Sequence, residues 1–405
     1  MKVLFIFGGL PHYYNKILNN LNKDENLTIS VLVPATQNSA VIGKGVYQTE
    51  VGIEFTVFQL QEYKTITGKP FFKGFNNFLK QNKPDAIVVG WPYIIPFSFD
   101  VRLRFLLNKL NIKLICKDIP FQVPKYNEAR QFYWNYSELN EEMLPPKYNK
   151  WINRLKYFIL TQIRKSYYRQ ADAHVDYIEE AYEIISSYGV KKESIFIIYN
   201  SPDTDAFFET KSSIIKQPSI LNVNKYRIIH VGRLVKWKRV DLLIQAVSIL
   251  KQKFPEIELI VVGTGPEKNN LISQSKSLNV ENNVKFVGGV YDNETLGKYL
   301  MESSIYVLAG MGGLSINDAM CFGKPVICSV CDGTEKKLVR NNVNGFIFKN
   351  GNVEDLISKI DLLLNNPALL MKMGEMSVSI IKNEVNMDVV INNYKKAFEY
   401  VKELK

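Results

Sequence analysis

Three glycines lie just before a helix-like segment in the stretch LAGMGGLSINDAMCFGKPVICS, residues 308–329. Glycine lets a backbone approach a ligand closely, and a helix start presents unpaired N–H groups at the positive end of its dipole, so an anion site is predicted. Asp318 lies three residues after Ser315, which also fits a capping box. Asp318 is therefore either a helix cap or part of a ligand site. In the second case its carboxylate would bind ribose hydroxyls, while the N–H groups of Gly313 and Leu314 would bind a diphosphate.

Two further loops follow predicted strands. Arg233 and Lys238 come after a strand that ends at Gly232 and before a helical pattern, so both cations can converge on phosphate oxygens. A solvated basic turn fits the same spacing. Gly263 and Gly265 follow another buried strand, but the third glycine of a dinucleotide fingerprint is a lysine here, so a tight turn is expected rather than an NAD site.

The composition predicts a folded chain with anionic ligands. Its 405 residues suggest about two or three domains, and 46% hydrophobic residues exclude a disordered chain. Lysine plus arginine number 51 against 40 acidic residues, a net charge of +11 that favours nucleotides, acidic lipids or nucleic acid. The basic residues are spread along the chain without a usual nucleic-acid motif, so no nucleic-acid partner is expected.

No metal site or membrane span is expected. Four cysteines include the C-x-x-C of Cys328 and Cys331, but the histidines are distant in sequence, so small buried thiols of a reduced, cytoplasmic protein are the better interpretation. The D-x-D of Asp203 and Asp205 could bind a metal, but it lies in a predicted interdomain linker where acidic turn residues are common. The first nine residues are predicted to form a strand rather than a signal peptide, and the longest apolar stretch, 86–97, is too short to span a bilayer.

Short β-rich runs alternate with longer helical patterns, which is typical of parallel sheets covered by helices. The predicted strands are 2–7, 27–33, 53–59, 86–90, 113–117, 173–178, 227–232, 258–263, 284–289, 304–309 and 325–329. The loops described above then lie at the carboxyl ends of strands, where open α/β sheets bind ligands. The predicted fold class is α/β with two Rossmann-like domains.

The domain boundary is predicted within YNSPDTDAF, residues 199–207, where turn formers cluster. We expect an N-terminal domain over 1–202 and a C-terminal domain over 203–386, with an amphipathic helix at about 387–405 that packs back on the first. The basic and aromatic segment 147–170 predicts either an interfacial helix at an anionic membrane surface or a helix that covers the first sheet.

Five segments of the second half, over about 195–365, occur in a characteristic order and spacing: HVGRLVKWKRVDLLIQA, VVGTGPE, FVGGV, GGLSINDAMCFGKPVICS and NGFIF. They resemble the donor-binding domain of glycosyltransferase family 4, whose members are retaining enzymes of the GT-B fold. In the first half the resemblance depends on FGGLPHYYNKIL and YGVKKESIFIIYNSPDTDAF. It implies two Rossmann-like domains facing each other across a cleft, with the donor on the second and the acceptor on the first.

The resemblance also implies residue roles. Arg233 and Lys238 would clamp the donor diphosphate, and Asp318 would replace the second glutamate of the family's E-x7-E pattern and contact ribose. His12 would bind acceptor or donor sugar, although an ordinary loop histidine fits its position equally. The full set of implied donor-binding residues is Gly9, His12, Gly232, Gly263, Gly265, Val287, Val290, Gly310, Gly312, Gly313, Leu314 and Asp318. Val287 and Val290 would receive the base through main-chain bonds.

Two positions depart from the family pattern. Gly310 stands where the first glutamate of E-x7-E helps hold the donor sugar. Lys117 stands about where many members carry a histidine near the reacting sugar, and with the adjacent Asp118 it is a candidate catalytic residue.

These observations predict a metal-independent glycosyltransferase that moves a sugar from a UDP-sugar to a glycan or lipid-linked acceptor, with retention, in surface polysaccharide or glycoconjugate synthesis. Arg233 and Lys238 would stabilise the charge that develops on the leaving diphosphate. No cofactor besides the nucleotide-sugar co-substrate is expected, and the location would be cytoplasmic, at the inner face of the membrane. Gly310 and Lys117 suggest the alternative of a non-catalytic sugar-nucleotide-binding or scaffold protein. The net charge alone suggests a nucleic-acid-binding protein.

Overall fold

The computed structural model describes residues 1–36, 48–120, 123–135, 150–330 and 333–404. These residues divide into two compact units. The first unit holds the described residues of Met1–Tyr136, Lys147–Tyr199 and Asp388–Lys405, and the second holds those of Asn200–Met387. The division after Tyr199 lies close to the boundary predicted after residue 202, and the last helix is assigned to the first unit from Asp388 onward.

The first unit is built on a parallel sheet of seven strands in the order β3-β2-β1-β6-β7-β8-β9. Its strands are β1 (Lys2–Ile6), β2 (Thr28–Pro34), β3 (Thr56–Leu60), β4 (Glu62–Lys64), β5 (Pro70–Phe72), β6 (Ala86–Gly90), β7 (Lys113–Asp118), β8 (Ala173–Asp176) and β9 (Ile195–Ile197). β4 and β5 form a separate antiparallel hairpin. All six strands predicted in this half are present. The hairpin and β9 were not predicted, because three residues are too few to show a hydrophobic period.

Helices connect these strands. They are His12–Asn22, Phe75–Asn82, Ile95–Phe99, Val101–Leu110, Ala129–Asn135, Lys150–Gln170, Ala181–Ser187 and the final helix Met387–Glu403, with short 3-10 helices at Tyr126–Glu128 and Lys192–Ser194. Local sequence sets some of the boundaries. The Asp100 carboxylate, for example, accepts hydrogen bonds from the N–H groups of Arg102 and Leu103 at 2.9 and 3.0 Å, and so starts the helix that follows it.

The second unit contains a parallel sheet in the order β12-β11-β10-β13-β14-β15. Its strands are β10 (Arg227–Val231), β11 (Glu258–Val262), β12 (Val284–Gly288), β13 (Ile305–Leu308), β14 (Val326–Ser329) and β15 (Gly345–Phe348). Its helices are Thr204–Ile214, Val240–Leu250, Lys268–Ser277, Asn293–Met301, Ser315–Cys321, Glu335–Leu338, Val353–Leu364 and Pro367–Asn383, with a 3-10 helix at Lys236–Lys238. The predicted α/β class is confirmed.

Both sheets follow the doubly wound strand order 3-2-1-4-5-6 when their long strands are counted along each unit. The order reverses between the first and fourth of these strands, which leaves a crevice at their carboxyl ends where ligands of such sheets bind. In the second unit the crevice lies at β10 and β13, and in the first at β1 and β6. The central strands are buried on both faces and are nearly continuous apolar runs, as the entirely buried β11 illustrates, whereas the edge strands β3 and β12 are partly exposed.

Candidate functional site

Two loops meet at the crevice of the second sheet, one after β10 and one after β13. The ammonium of Lys238 donates a hydrogen bond to the carbonyl oxygen of Met311 at 2.7 Å and another to that of Gly312. The N–H of Met311 donates in turn to the carbonyl oxygen of Trp237 at 2.8 Å. Lys238 is only 8% exposed. The predicted basic turn and the predicted anion-binding stretch therefore form one connected structure at the carboxyl edge of the sheet.

Glycine at position 310 is required by this junction. A Cβ atom on Gly310 would lie 2.0 Å from the carbonyl oxygen of Trp237 and 2.6 Å from the carbonyl carbon of Lys238, closer than real Cβ contacts. A glutamate at this position cannot be placed without moving the backbone that carries Lys238. Packing against Trp237 and Lys238 thus explains the glycine at position 310, independently of any contact to a sugar.

Gly263 and Gly265 are needed for a similar close approach of two loops. A Cβ on Gly263 would lie 1.9 Å from the carbonyl oxygen of Gly232, and one on Gly265 would lie 2.2 Å from that of Leu234. The N–H of Leu234 donates to the carbonyl oxygen of Thr264 at 2.8 Å and binds the two loops together. This geometry favours the tight-turn interpretation of the G-x-G over a dinucleotide fingerprint.

Asp318 does not cap its helix. The helix Ser315–Cys321 begins without a side-chain capping bond, so the capping-box interpretation is wrong; the Ser315 hydroxyl lies 2.7 Å from the phenol oxygen of Tyr306 instead. The Oδ1 atom of Asp318 is buried and has no hydrogen-bond partner among the described residues. Burial raises the pKa of this carboxyl to about 8. A buried carboxyl oxygen without a donor is costly, and a ligand with a hydroxyl donor would satisfy it.

The other predicted donor-site residues of this unit lie on the same edge. Arg233 follows β10 and is exposed, Gly312, Gly313 and Leu314 follow β13, Val287 belongs to β12, and Val290 lies two residues beyond that strand. A Cβ on Gly313 would lie 3.2 Å from Nζ of Lys238, so the backbone at Gly313 also lies beside the Lys238 ammonium. The N–H of Gly263 donates to the carbonyl oxygen of Gly288 at 2.7 Å, which joins the end of β12 to the loop after β11.

His230 was not predicted as a site residue. It lies near the carboxyl end of β10 and is fully buried. Its Nδ1 atom lies 3.1 Å from the carbonyl oxygen of Val307; because that oxygen can only accept, Nδ1 carries the proton and Nε2 is left as an acceptor. Nε2 is buried without a partner in the described part of the chain. Burial first, and then the charge of Lys238, lowers the pKa of His230 to about 4, so the ring is neutral at pH 7.

Lys117 and Asp118 end β7, at the carboxyl edge of the first sheet. The ammonium of Lys117 donates to the Tyr177 hydroxyl and lies 5.1 and 4.3 Å from the ring centroids of Tyr14 and Tyr177. Burial lowers the pKa of Lys117 to about 8. The Oδ2 atom of Asp118 accepts a hydrogen bond from the Tyr168 hydroxyl at 2.6 Å. Both candidate catalytic residues therefore contact tyrosine side chains.

Asp176, the last residue of β8, was also not predicted. It pairs in register with Asp118 and is fully buried. Neither of its carboxylate oxygens has a hydrogen-bond partner among the described residues. Burial and the charge of Asp118 raise the pKa of Asp176 well above its usual range. In the sequence, the only indication of a role for Asp176 is its position at the carboxyl end of a predicted parallel strand.

Gly9 and His12 follow β1, at the crevice of the first sheet. His12 begins the helix His12–Asn22, is exposed, and lies edge to face with the ring of Tyr13 at 5.5 Å between centroids. Its assignment to a sugar stays a prediction.

The basic segment predicted at 147–170 forms the helix Lys150–Gln170 in the residues that are described. Tyr157 and Tyr168 are buried, so the helix covers the sheet. Leu155 and Phe158 are nevertheless 62% exposed each. The helix thus presents apolar side chains as well as basic ones at the surface.

The possible metal ligands do not converge in the described part of the chain. No group of three His, Cys, Asp or Glu side chains there could hold a metal ion. Asp203 accepts a hydrogen bond from the N–H of Ala206 at 3.3 Å and caps the helix Thr204–Ile214. Cys328 is buried, and Cys331 lies outside the described residues. Among the helices described, none is both long and apolar enough to cross a bilayer.

A family model matches a large part of the second unit. Residues 211–379 match the family model described as Glycosyl transferases group 1. An uncharacterised glycosyltransferase of Haemophilus influenzae is 29% identical over 187 residues, 45% of this chain and 52% of that protein. An uncharacterised glycosyltransferase of Methanocaldococcus jannaschii is 31% identical over 254 residues, 61% of this chain and 63% of that protein. The alignments thus span about half to somewhat under two thirds of these relatives. The resemblance to glycosyltransferases is confirmed.

Solved structures extend the likeness to the whole fold. The Anabaena protein HepE in complex with UDP matches with a TM-score of 0.66 at 16% sequence identity, over 98% of this chain and 100% of that one. At this identity the match establishes the fold. The chain has the GT-B fold, with two Rossmann-like units.

Proposed function

We propose that the chain is a glycosyltransferase that takes a sugar from a UDP-sugar and transfers it, with retention, to a glycan or lipid-linked acceptor. The observation that carries the proposal is the bond between Lys238 and the glycine stretch, at the point where the strand order of the second sheet reverses. This junction lies within the segment 211–379 that matches glycosyltransferases. The UDP seen in the HepE structure supports UDP as the nucleotide here.

The junction suits a diphosphate leaving group. Lys238 is bound to the carbonyl oxygens of Met311 and Gly312, so its charge lies beside Gly313. The N–H groups of Gly313 and Leu314 would add to it. Arg233, on the exposed part of the same turn, can add a second cation. Departure of the diphosphate builds negative charge on its oxygens while the sugar becomes oxocarbenium-like. Positive groups that are already in place stabilise this charge without reorganisation.

Asp318 suits the ribose. Its buried Oδ1 lacks a donor among the described residues, and each ribose hydroxyl is a donor. Binding of a ribonucleotide would satisfy that oxygen and favour the ionised carboxylate, whose pKa in the ligand-free protein is about 8.

The acceptor is proposed to bind the first unit, with the protein at the inner, anionic face of a membrane. The helix Lys150–Gln170 contains lysines and arginines but no acidic residue, and exposes Leu155 and Phe158. Basic and apolar side chains on the exposed side of one helix are typical of interfacial binding. Flotation with vesicles rich in phosphatidylglycerol should recover the protein at low salt and lose it at high salt, because surface charges are screened. No recovery under either condition would contradict this location.

Hydrolysis of UDP-sugars by the purified protein tests the enzyme proposal without knowledge of the acceptor. We expect slow release of UDP from at least one of UDP-glucose, UDP-galactose and UDP-N-acetylglucosamine, since the leaving group is stabilised whether water or a sugar attacks. Excess EDTA should not abolish it, because Lys238 and Arg233 supply the positive charge. Complete loss that Mn²⁺ restores would overturn metal independence. Binding of UDP without any turnover would favour the scaffold alternative.

A further inference from the structure

A cavity of about 420 Å³ lies in the first unit, beside the end of β9, and no role has been assigned to it so far. Its lining comes from the segment after β8, from β9 and the residues that follow it, and from the final helix Met387–Glu403. All the lining residues belong to the first unit. Small-molecule sites typically have volumes of about 300–1,000 Å³. The cavity is therefore of the size that holds one small ring.

Aromatic side chains form a large part of the lining. Tyr182, Phe196 and Tyr199 are three aromatic lining residues, one from the segment after β8 and two from β9 and the residues that follow it. Tyr182 is 37% exposed, and a ligand can reach it. Flat rings bind the C–H faces of a sugar, which present no hydroxyl, and tyrosine adds a polar edge.

Polar groups around the rings are held in fixed orientations. The Tyr199 hydroxyl donates to Oε1 of Glu179 at 2.8 Å. The side-chain amide of Asn393 donates to the carbonyl oxygen of Ile197 at 2.9 Å, and its oxygen accepts from the Lys396 ammonium at 3.2 Å. The lining thus offers one carboxylate, one amide and one ammonium. One charge of each sign favours a neutral ligand with many hydroxyls over an ion.

The backbone at Tyr199 supports a functional origin. Tyr199 has a φ of 57°, in the left-handed region that favours glycine and asparagine. A bulky aromatic residue there is an outlier, and such outliers collect at ligand sites. Tyr199 lines the cavity, which gives a reason for a tyrosine at a position where glycine would fit the backbone more easily.

We propose that this cavity binds one pyranose ring of a glycan. The rings of Tyr182, Phe196 and Tyr199 would contact its C–H face, and Glu179, Asn393 and Lys396 would bind its hydroxyls. Only the identification of this glycan with the acceptor rests on the proposed function. Neighbouring strands lie about 4.8 Å apart, so a site at β8 and β9 is roughly 5–10 Å across the sheet from Lys117 at the end of β7. A glycan of two or three sugars could therefore reach both.

Saturation-transfer NMR tests the site with named probes: methyl α-D-glucopyranoside, methyl α-D-galactopyranoside and methyl N-acetyl-α-D-glucosaminide, each with excess UDP present. We expect transfer to at least one probe, reduced fivefold or more by Tyr182→Ala and by Lys396→Ala. Tyr63→Ala is the matched control, because Tyr63 is an exposed tyrosine of the same unit, on the hairpin strand β4. Glu179→Gln keeps the size of the side chain and serves if an alanine variant does not fold.

The outcomes separate this site from the proposed function. No transfer to any probe, or equal transfer with Tyr182→Ala, Glu179→Gln and Tyr63→Ala, would overturn the sugar site. UDP affinity, measured by calorimetry on the same samples, should be unchanged in all variants. If UDP does not bind but the sugar signal depends on Tyr182, the sugar site stands and the nucleotide proposal fails.

Discussion

The carboxyl edge of the second sheet is built mainly from backbone, whereas that of the first sheet is built from side chains. In the second unit, Gly263 and Gly310 let loops approach so closely that no Cβ fits between them, and Lys238 bonds to two carbonyl oxygens. In the first unit, Lys117 lies among tyrosine rings, and Asp176 is buried without a hydrogen-bond partner in the described part.

This difference has a physical consequence for function. Loops joined backbone to backbone tolerate few substitutions, so they suit a part of the substrate that does not vary, such as a nucleoside diphosphate. A site made of side chains on a fixed sheet can change one residue at a time, which suits a variable acceptor. The following predictions test whether the two edges differ in this way.

The largest effect is expected from Gly310→Ala. Its new methyl group would meet the backbone of Trp237 and Lys238 at 2.0–2.6 Å, so the Lys238 loop must move. We expect UDP affinity to fall at least about 100-fold, near 2.7 kcal/mol, and the free energy of unfolding to fall by about 1–3 kcal/mol, as overpacking costs. Calorimetry and denaturant titration measure the two.

Gly297→Ala is the control for that variant, because it also overpacks the second unit. A Cβ there would meet side-chain atoms of Phe322 and Ile214 at 2.7–3.0 Å rather than the backbone of the Lys238 loop. This variant should lose stability but bind UDP with unchanged affinity. Normal UDP binding by Gly310→Ala, or by Gly310→Glu, which restores the glutamate of the family pattern, would contradict this interpretation. The carboxyl edge of the second sheet would then not depend on close backbone contacts.

Removal of Lys238 comes next. Lys238→Ala should lower the rate of UDP-sugar turnover by about 10² or more, the usual scale when one stabiliser of transition-state charge is lost. Arg233→Ala should act in the same direction with a smaller effect on folding, since Arg233 is exposed. Lys236→Ala, an exposed lysine of the same turn, is the matched control. Near-normal rates for both Lys238→Ala and Arg233→Ala would refute the clamp.

Asp318→Asn should weaken UDP binding by about tenfold and stabilise the ligand-free protein. The pKa of Asp318 is about 8 in the folded protein, against an ordinary value of 3.8. Between these two values the native state holds a proton that the unfolded chain has lost, so stability falls as the pH rises from about 4 to 8. The Asp318→Asn variant has no carboxyl to ionise at this position, so it should not lose stability over this pH range. Ribose donors favour the ionised form, so UDP binding at pH 7 should release up to about 0.9 proton, and none in the variant.

Calorimetry in two buffers of different ionisation enthalpy measures the proton count. Release of an equal number of protons by the wild type and by Asp318→Asn would place the ribose elsewhere. An unchanged melting temperature for the ligand-free variant at pH 7 would show that the carboxyl is better solvated than its surroundings indicate.

Sequence patterns predicted the backbone-built edge better than the side-chain-built one. The convergence of Lys238 with the glycine stretch followed from strand periodicity and from the rule that parallel strands carry ligands at their carboxyl ends. The need for glycine at position 310 could not be predicted in this way, because its close contact with Trp237 joins residues far apart in sequence. Asp176 and the cavity beside β9 were missed because burial of a carboxylate depends on tertiary packing, and β9 is too short to predict.

At the carboxyl edge of the first sheet, an effect no larger than that of Asp318→Asn is expected from the titration of Lys117. Burial lowers its pKa to about 8, so the ammonium is mostly charged at pH 7 and mostly neutral at pH 9. If the charge assists transfer, turnover at saturating UDP-sugar should fall about tenfold between these pH values, while UDP affinity, which depends on Asp318, should not fall. Lys117→Arg remains charged throughout and should lose this decline, with UDP binding unchanged. Lys113→Arg, on the same strand, should keep it. A wild-type rate that is flat from pH 7 to 9 would mean that Lys117 acts only through packing between Tyr14 and Tyr177, and the first edge would then hold the acceptor by shape alone.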